Sequence, residues 1–148
     1  MPAKSSASTF DLVTLLAGVN DQFRGYGAER YQRSFEALIG AAVSFAKLPP
    51  RLIVLSIPDW SVTPFAAGRD RPAIAREIDA FNRVGRALTT AHGARFVDIT
   101  PSSRLASSNT ALVTADGLHP SAVMYSTWVD HLVPPSLDAL DTHSLEKR

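Results

Sequence analysis

Arg51-Leu52-Ile53-Val54-Leu55-Ser56-Ile57 is an almost unbroken apolar run, rich in β-branched and leucine side chains and stopped by Pro58. It does not alternate apolar with polar residues, so as a strand it has no solvent face. Strands buried on both faces are typical of parallel sheets covered by helices on each side. The flanking segments fit that architecture. Upstream, Phe10 to Ala17 is a second short apolar run, ending at Gly18. Between the two lies a segment from about Ala28 to Ala46, in which Tyr31, Phe35, Leu38, Ala42 and Phe45 step by 4, 3, 4 and 3. That spacing predicts an amphipathic helix, which Pro49-Pro50 stop.

Downstream, a loop from Asp59 to Arg69 carries Trp, Thr, Pro, Phe and Gly. A long helix is predicted from about Arg71 to His92, with Ile74, Ile78, Phe81, Val84/Gly85 and Leu88 on one face. Asp70 suits its N-cap, Pro72 its first turn and Gly93 its C-terminal stop. Arg95 to Ile99 reads as a third strand, and Pro101 to Ala115 as a loop with a short helical turn. A last helix is expected from Ser121 to Leu132, with Val123, Trp128 and Leu132 available for packing and Pro134-Pro135 breaking it. Residues 1–9 read as a loop and 134–148 as a polar C-terminal tail. The order β-α-β-α-β-α predicts a single domain over residues 1–148: a three-layer α/β/α fold on a parallel sheet of about three strands.

Composition narrows the function classes. Fifteen basic residues stand against 14 acidic ones, with no Lys/Arg run that would track a nucleic acid. No cysteine is present, which removes disulfides and thiolate chemistry. No apolar run reaches the length of a membrane span, and the first nine residues lack the apolar core of a signal peptide. The compartment stays open, with the cytoplasm as the default.

Asp116-Gly117-Leu118-His119-Pro120 carries the chemistry. An acid and an imidazole three residues apart in a loop can meet, and the carboxylate then orients the ring as a general base. In an open parallel sheet, sites form beyond the carboxyl ends of the strands, where this loop is expected. Gly18-Val19-Asn20-Asp21 follows the first strand on the same side. There the Asn20 amide can donate to a developing oxyanion, and Gly18 allows close backbone approach. Asp116 and His119 have no evident third ligand for a metal, and no cofactor is called for. Trp60, Thr63 and Phe65 are candidates to line an acyl pocket, or else form an apolar plug over the sheet end.

These motifs resemble those of the SGNH, or GDSL-type, ester hydrolases. Gly18-Val19-Asn20-Asp21 is similar to the family's Gly-x-Asn-Asp block and Asp116 to Pro120 to its Asp-x-x-His-Pro block, in the family's order. The Ser56-to-Trp60 and Thr63-to-Ala66 segments resemble a loop of bacterial esterase-like members. The likeness runs from about Phe10 to Leu132. It implies a flavodoxin-like SGNH fold, a small-molecule ester substrate and serine acyl transfer without a cofactor. It makes His119 the base, Asp116 its acid, Asn20 an oxyanion donor and Gly18 the turn beside it.

The departure from the pattern is as informative. The family's nucleophile lies in a Gly-Asp-Ser block at the end of an earlier strand, and no Asp in this chain is followed by Ser. Two readings stay open: a fragment of a longer protein, or a short form using Ser56, Ser61, Ser102, Ser103 or Ser121. The fragment reading predicts an inactive isolated chain, or a non-catalytic binding module. It also predicts self-association through the strand Leu12–Leu16, whose neighbour in the family is missing.

Overall fold

A computed structural model of the protein describes residues 9–141. The loop expected over residues 1–9 lies outside the described residues up to position 8, and so does the tail from 142 onward. Three strands form one parallel sheet in the order β1-β2-β3: β1 (Val13–Leu15), β2 (Leu52–Leu55) and β3 (Arg95–Val97). β2 is central, pairing with β1 through Thr14↔Ile53 and with β3 through Val54↔Phe96.

Residues alternate across a strand, and β2 shows it plainly. Leu52 and Val54 enter one apolar cluster, Ile53 and Leu55 the other. The first cluster is roofed by α2 (Ala28–Phe45) and α3 (Arg71–Ala91), through Tyr31, Phe35, Ile39, Ile74, Ile78 and Phe81. The second is closed by α5 (Ala122–Asp141) and the loop before it, through Trp128, Met124, Leu112 and Ala106. The protein is therefore the three-layer α/β/α fold expected. Two short helices complete it, α1 (Val19–Phe23) directly after β1 and α4 (Thr100–Arg104) after β3. No helix among the described residues is long and apolar enough to cross a membrane.

The predicted caps of α3 are in place. The Asp70 carboxylate accepts from the Ala73 N–H at 2.9 Å, Pro72 lies in the first turn, and Gly93 takes φ 70° beyond the end. The strands are shorter than expected, and Phe10 contributes a single bridge to Ala46 rather than extending β1.

Three expectations are corrected. The buried stripe of α2 uses Ile39, not Leu38, which is 41% exposed; Phe45 is exposed as well. Two adjacent apolar residues both fit a 3.6-residue period, and the roof of α3 selects one of them. On α5, Met124 rather than Val123 turns inward. Pro134-Pro135 do not end that helix, so residues 134–141 are helical rather than tail. The two prolines deprive the Asp130 and His131 carbonyls of their usual donors. Burial of Ala139 and the Ser136 hydroxyl, which donates to the Leu132 carbonyl at 2.7 Å, hold the far half in line.

Candidate active site

The loop from Val113 to Pro120 folds back on itself. Val113 and Pro120 form an antiparallel bridge, and the Thr114 N–H donates to the His119 carbonyl at 2.8 Å. Gly117 takes φ 72° at the tip, a left-handed conformation that glycine adopts at no steric cost. The closure leaves Asp116 at the centre. Its Oδ1 accepts from the Thr114 hydroxyl (2.6 Å), the Leu118 N–H (2.9 Å) and the His119 N–H (3.0 Å), and its Oδ2 lies 2.5 Å from His119 Nδ1. The Thr114 hydroxyl first, then the His119 ring and the two backbone amides, hold the carboxyl far below the usual carboxylate range. An ionised Asp116 keeps the His119 proton on Nδ1 and leaves Nε2 as the basic nitrogen. Nε2 has no hydrogen-bond partner among the described residues.

Asn20 approaches from the other end of the sheet sequence. It sits in α1, whose N-cap is Gly18. Gly18 has φ 121°, and a Cβ built there would lie 2.6 Å from Tyr31 Cε2 and 2.9 Å from Ile57 Cδ1. Only glycine allows the chain to leave β1 this tightly against the core, and this sharp exit aims α1 across the sheet end. The Asn20 side chain has no hydrogen-bond partner among the described residues. It lines one cavity of about 200 Å³ together with His119, Trp60, Thr63, Met124 and Trp128.

Trp60 and Thr63 are among the residues that line this cavity. Phe65, also expected to line the pocket, is not among the lining residues; its exposed ring packs outside, 6.1 Å from Trp60 and 6.2 Å from Phe23. Trp60 is pinned from behind: its Nε1 donates to Gln22 Oε1 at 2.7 Å, and Gln22 Nε2 donates to Glu77 Oε2 at 2.8 Å. The sequence reading missed Phe23, Leu112, Met124 and Trp128 as cavity walls. Trp128 and Met124 are four apart on one face of α5, the spacing that could have flagged them.

None of the candidate serines serves His119. Ser56 is fully buried; its hydroxyl donates to Asp98 at 2.9 Å and accepts from the Ile99 and Thr100 amides. Ser61 is buried and does not line the cavity. The Ser102 hydroxyl donates to the Ile99 carbonyl. Ser103 reaches the cavity wall, yet its hydroxyl donates to the Thr100 carbonyl at 2.7 Å and accepts from the Asp59 N–H at 2.8 Å. Ser121 caps α5, donating to the Ala111 carbonyl and accepting from the Met124 N–H.

A family model described as the GDSL-like Lipase/Acylhydrolase family matches residues 2–126, most of the chain. The chain belongs to that family. Solved structures of the same fold include LAE5, an alpha/beta hydrolase enzyme from the metagenome of Lake Arreo, Spain, at 19% identity and a TM-score of 0.64, with 88% of this chain and 61% of that one covered. Another is Axe2, an acetylxylan esterase from Geobacillus stearothermophilus, at 18% identity and a TM-score of 0.64, with 85% of this chain and 59% of Axe2 covered. This chain thus spans about three-fifths of the length of these relatives. Catalytic mutants of Axe2 replace an aspartate and a histidine three residues apart, and a serine close to its N-terminus. No curated protein matches the chain.

Proposed function

We propose that this chain forms the acid–base and oxyanion side of a carboxylic-ester hydrolase site whose serine comes from polypeptide outside these 148 residues. The observation that carries the reading is the Asp116–His119 pair at 2.5 Å on a cavity also lined by Asn20, with no serine among the described residues bonded to His119. Family membership and the spacing of the Axe2 aspartate and histidine support it.

In this mechanism the incoming serine gives its hydroxyl proton to His119 Nε2 while its oxygen attacks the ester carbonyl. Asp116 holds the ring and stabilises the imidazolium. The Asn20 amide donates to the oxyanion of the tetrahedral intermediate. Collapse breaks the bond to the alcohol oxygen, which leaves with the His119 proton. Water then attacks the acyl-serine by the same route, releasing the carboxylic acid and restoring the serine. The small, largely apolar cavity suits a short acyl group.

The test is a pair of preparations. The isolated chain is expected to take no fluorophosphonate label and to hydrolyse p-nitrophenyl acetate no faster than buffer. Fusing the N-terminal segment of Axe2 that carries its catalytic serine ahead of Thr9 is expected to give turnover. His119→Ala should then lower kcat by roughly 10⁴–10⁶. A serine of the isolated chain that labels, with turnover lost in His119→Ala, overturns the outside nucleophile. A folded but inert fusion favours a binding module that keeps the pocket without the chemistry.

A further inference from the structure

One cation lies against three aromatic rings, two of which are walls of the cavity. The Arg69 guanidinium carbon lies 5.6 Å from the Phe23 ring centre, 5.5 Å from Trp60 and 5.0 Å from Phe65, all within cation–π range. Phe23 and Trp60 are themselves walls of the cavity. The central ring is held by the protein itself: Trp60 is buried, lies edge-on to Phe23 at 5.4 Å and is pinned through Gln22 to Glu77. The Phe65 segment is also tied to the His119 loop, since the Phe65 N–H donates to the Gly117 carbonyl at 2.9 Å.

Arg69 is exposed and makes no ion pair among the described residues. Acids of the adjoining segments have other partners. Asp70 caps α3, Asp59 is bound by Arg104 at 2.8 Å, Asp116 holds His119, and Glu77 holds Gln22. Arg71 adds a second positive charge, spent on the Thr63 and Ala66 carbonyls, again without a carboxylate. A guanidinium held by ring faces keeps its edge N–H donors, and that fork matches a carboxylate.

We propose that Arg69 is a specificity residue: it selects ligands that carry a carboxylate close to the acyl bond seated in the cavity. The aromatic rings position the guanidinium, and its free edge takes the anion. The carboxylate can belong to the acyl side, as in a half-ester of a dicarboxylic acid, or to the alcohol side. The proposal rests on the reading of the cavity as an ester site.

The test uses binding of non-hydrolysable amides, so it needs no turnover and does not fall with the esterase reading. Isothermal titration compares N-benzylsuccinamic acid with neutral N-benzylsuccinamide for the acyl side. It compares N-acetylphenylalanine with its neutral amide for the alcohol side. In at least one pair the acid is expected to bind the wild-type chain at least about tenfold more tightly at low salt, with the preference shrinking as ionic strength rises. Preference in the first pair alone assigns the acyl side, in the second alone the alcohol side. Arg69→Gln, at an exposed position, should bring acid and amide level while leaving the neutral ligand unchanged. Arg69→Lys should keep part of the preference. Equal binding within both pairs, no binding by any of the four ligands, or a preference that survives Arg69→Gln overturns it. An inert Axe2 fusion beside a preference lost in Arg69→Gln would reject the esterase and keep the anion site.

Discussion

Asp116 accepts four hydrogen bonds from donors within three residues of it, and this sets its titration. Its folded value is depressed below the ordinary 3.8, chiefly by the Thr114 hydroxyl and then the His119 ring. A depressed carboxyl stabilises the fold fully above its unfolded value and loses that contribution as pH falls through the folded one. The loop should therefore keep its shape at pH 4, and any loss of activity between pH 4 and 8 should not belong to Asp116. An NMR titration of its carboxyl carbon is expected to show a midpoint clearly below 3.8; a midpoint at or above that value contradicts the hydrogen-bonding described. This pair was legible in sequence because it is local: spacing, a glycine tip and a following proline contain its geometry. The serines were not legible in the same way. Ser56 reads as a hydroxyl at a strand end, yet two backbone amides just past the end of the neighbouring β3 claim it. That claim depends on which strands are neighbours.

At the scale of elements, β1 is the weak member. It is three residues long, pairs among the described residues only with β2, and leaves Thr14 exposed and Leu16 41% exposed. An unpaired strand edge is a template for another chain. Light scattering of the isolated chain is expected to show concentration-dependent association, and Thr14→Lys should reduce it. A monodisperse monomer at high concentration goes against this. The long helices were readable because caps and period agree, as at Asp70, Pro72 and Gly93 around α3. α5 was read too short because prolines are local signals, whereas the burial of Ala139 is a tertiary one. The same holds for Leu38 and Ile39: the sequence offers two adjacent apolar residues, and packing against α3 chooses.

The molecule as a whole is a β-α-β-α-β layer with a second, thinner cover. α2 and α3 close one face of the sheet, while α5 alone carries most of the other. Several large apolar side chains of α5 stay in solvent, Val129, Val133 and Leu137 at successive turns among them. The three-layer plan was evident from the alternation of strands and helices. The cavity was not, because its walls come from α1, the Trp60 loop and α5, which no local pattern ties together.

Asn20 follows the first strand and His119 the last, yet both line one cavity. A molecule seated there would bridge the two ends of the chain's order, and it can do so only while all three strands are assembled. Occupancy and global unfolding are then linked equilibria. A ligand present at 100 times its dissociation constant raises the unfolding free energy by about 2.7 kcal/mol, and the melting temperature rises with it. Melting the chain against a panel of carboxylate-bearing amides should therefore rank its ligands without a single catalytic turnover. Arg69→Gln should flatten the ranking between acids and their neutral partners.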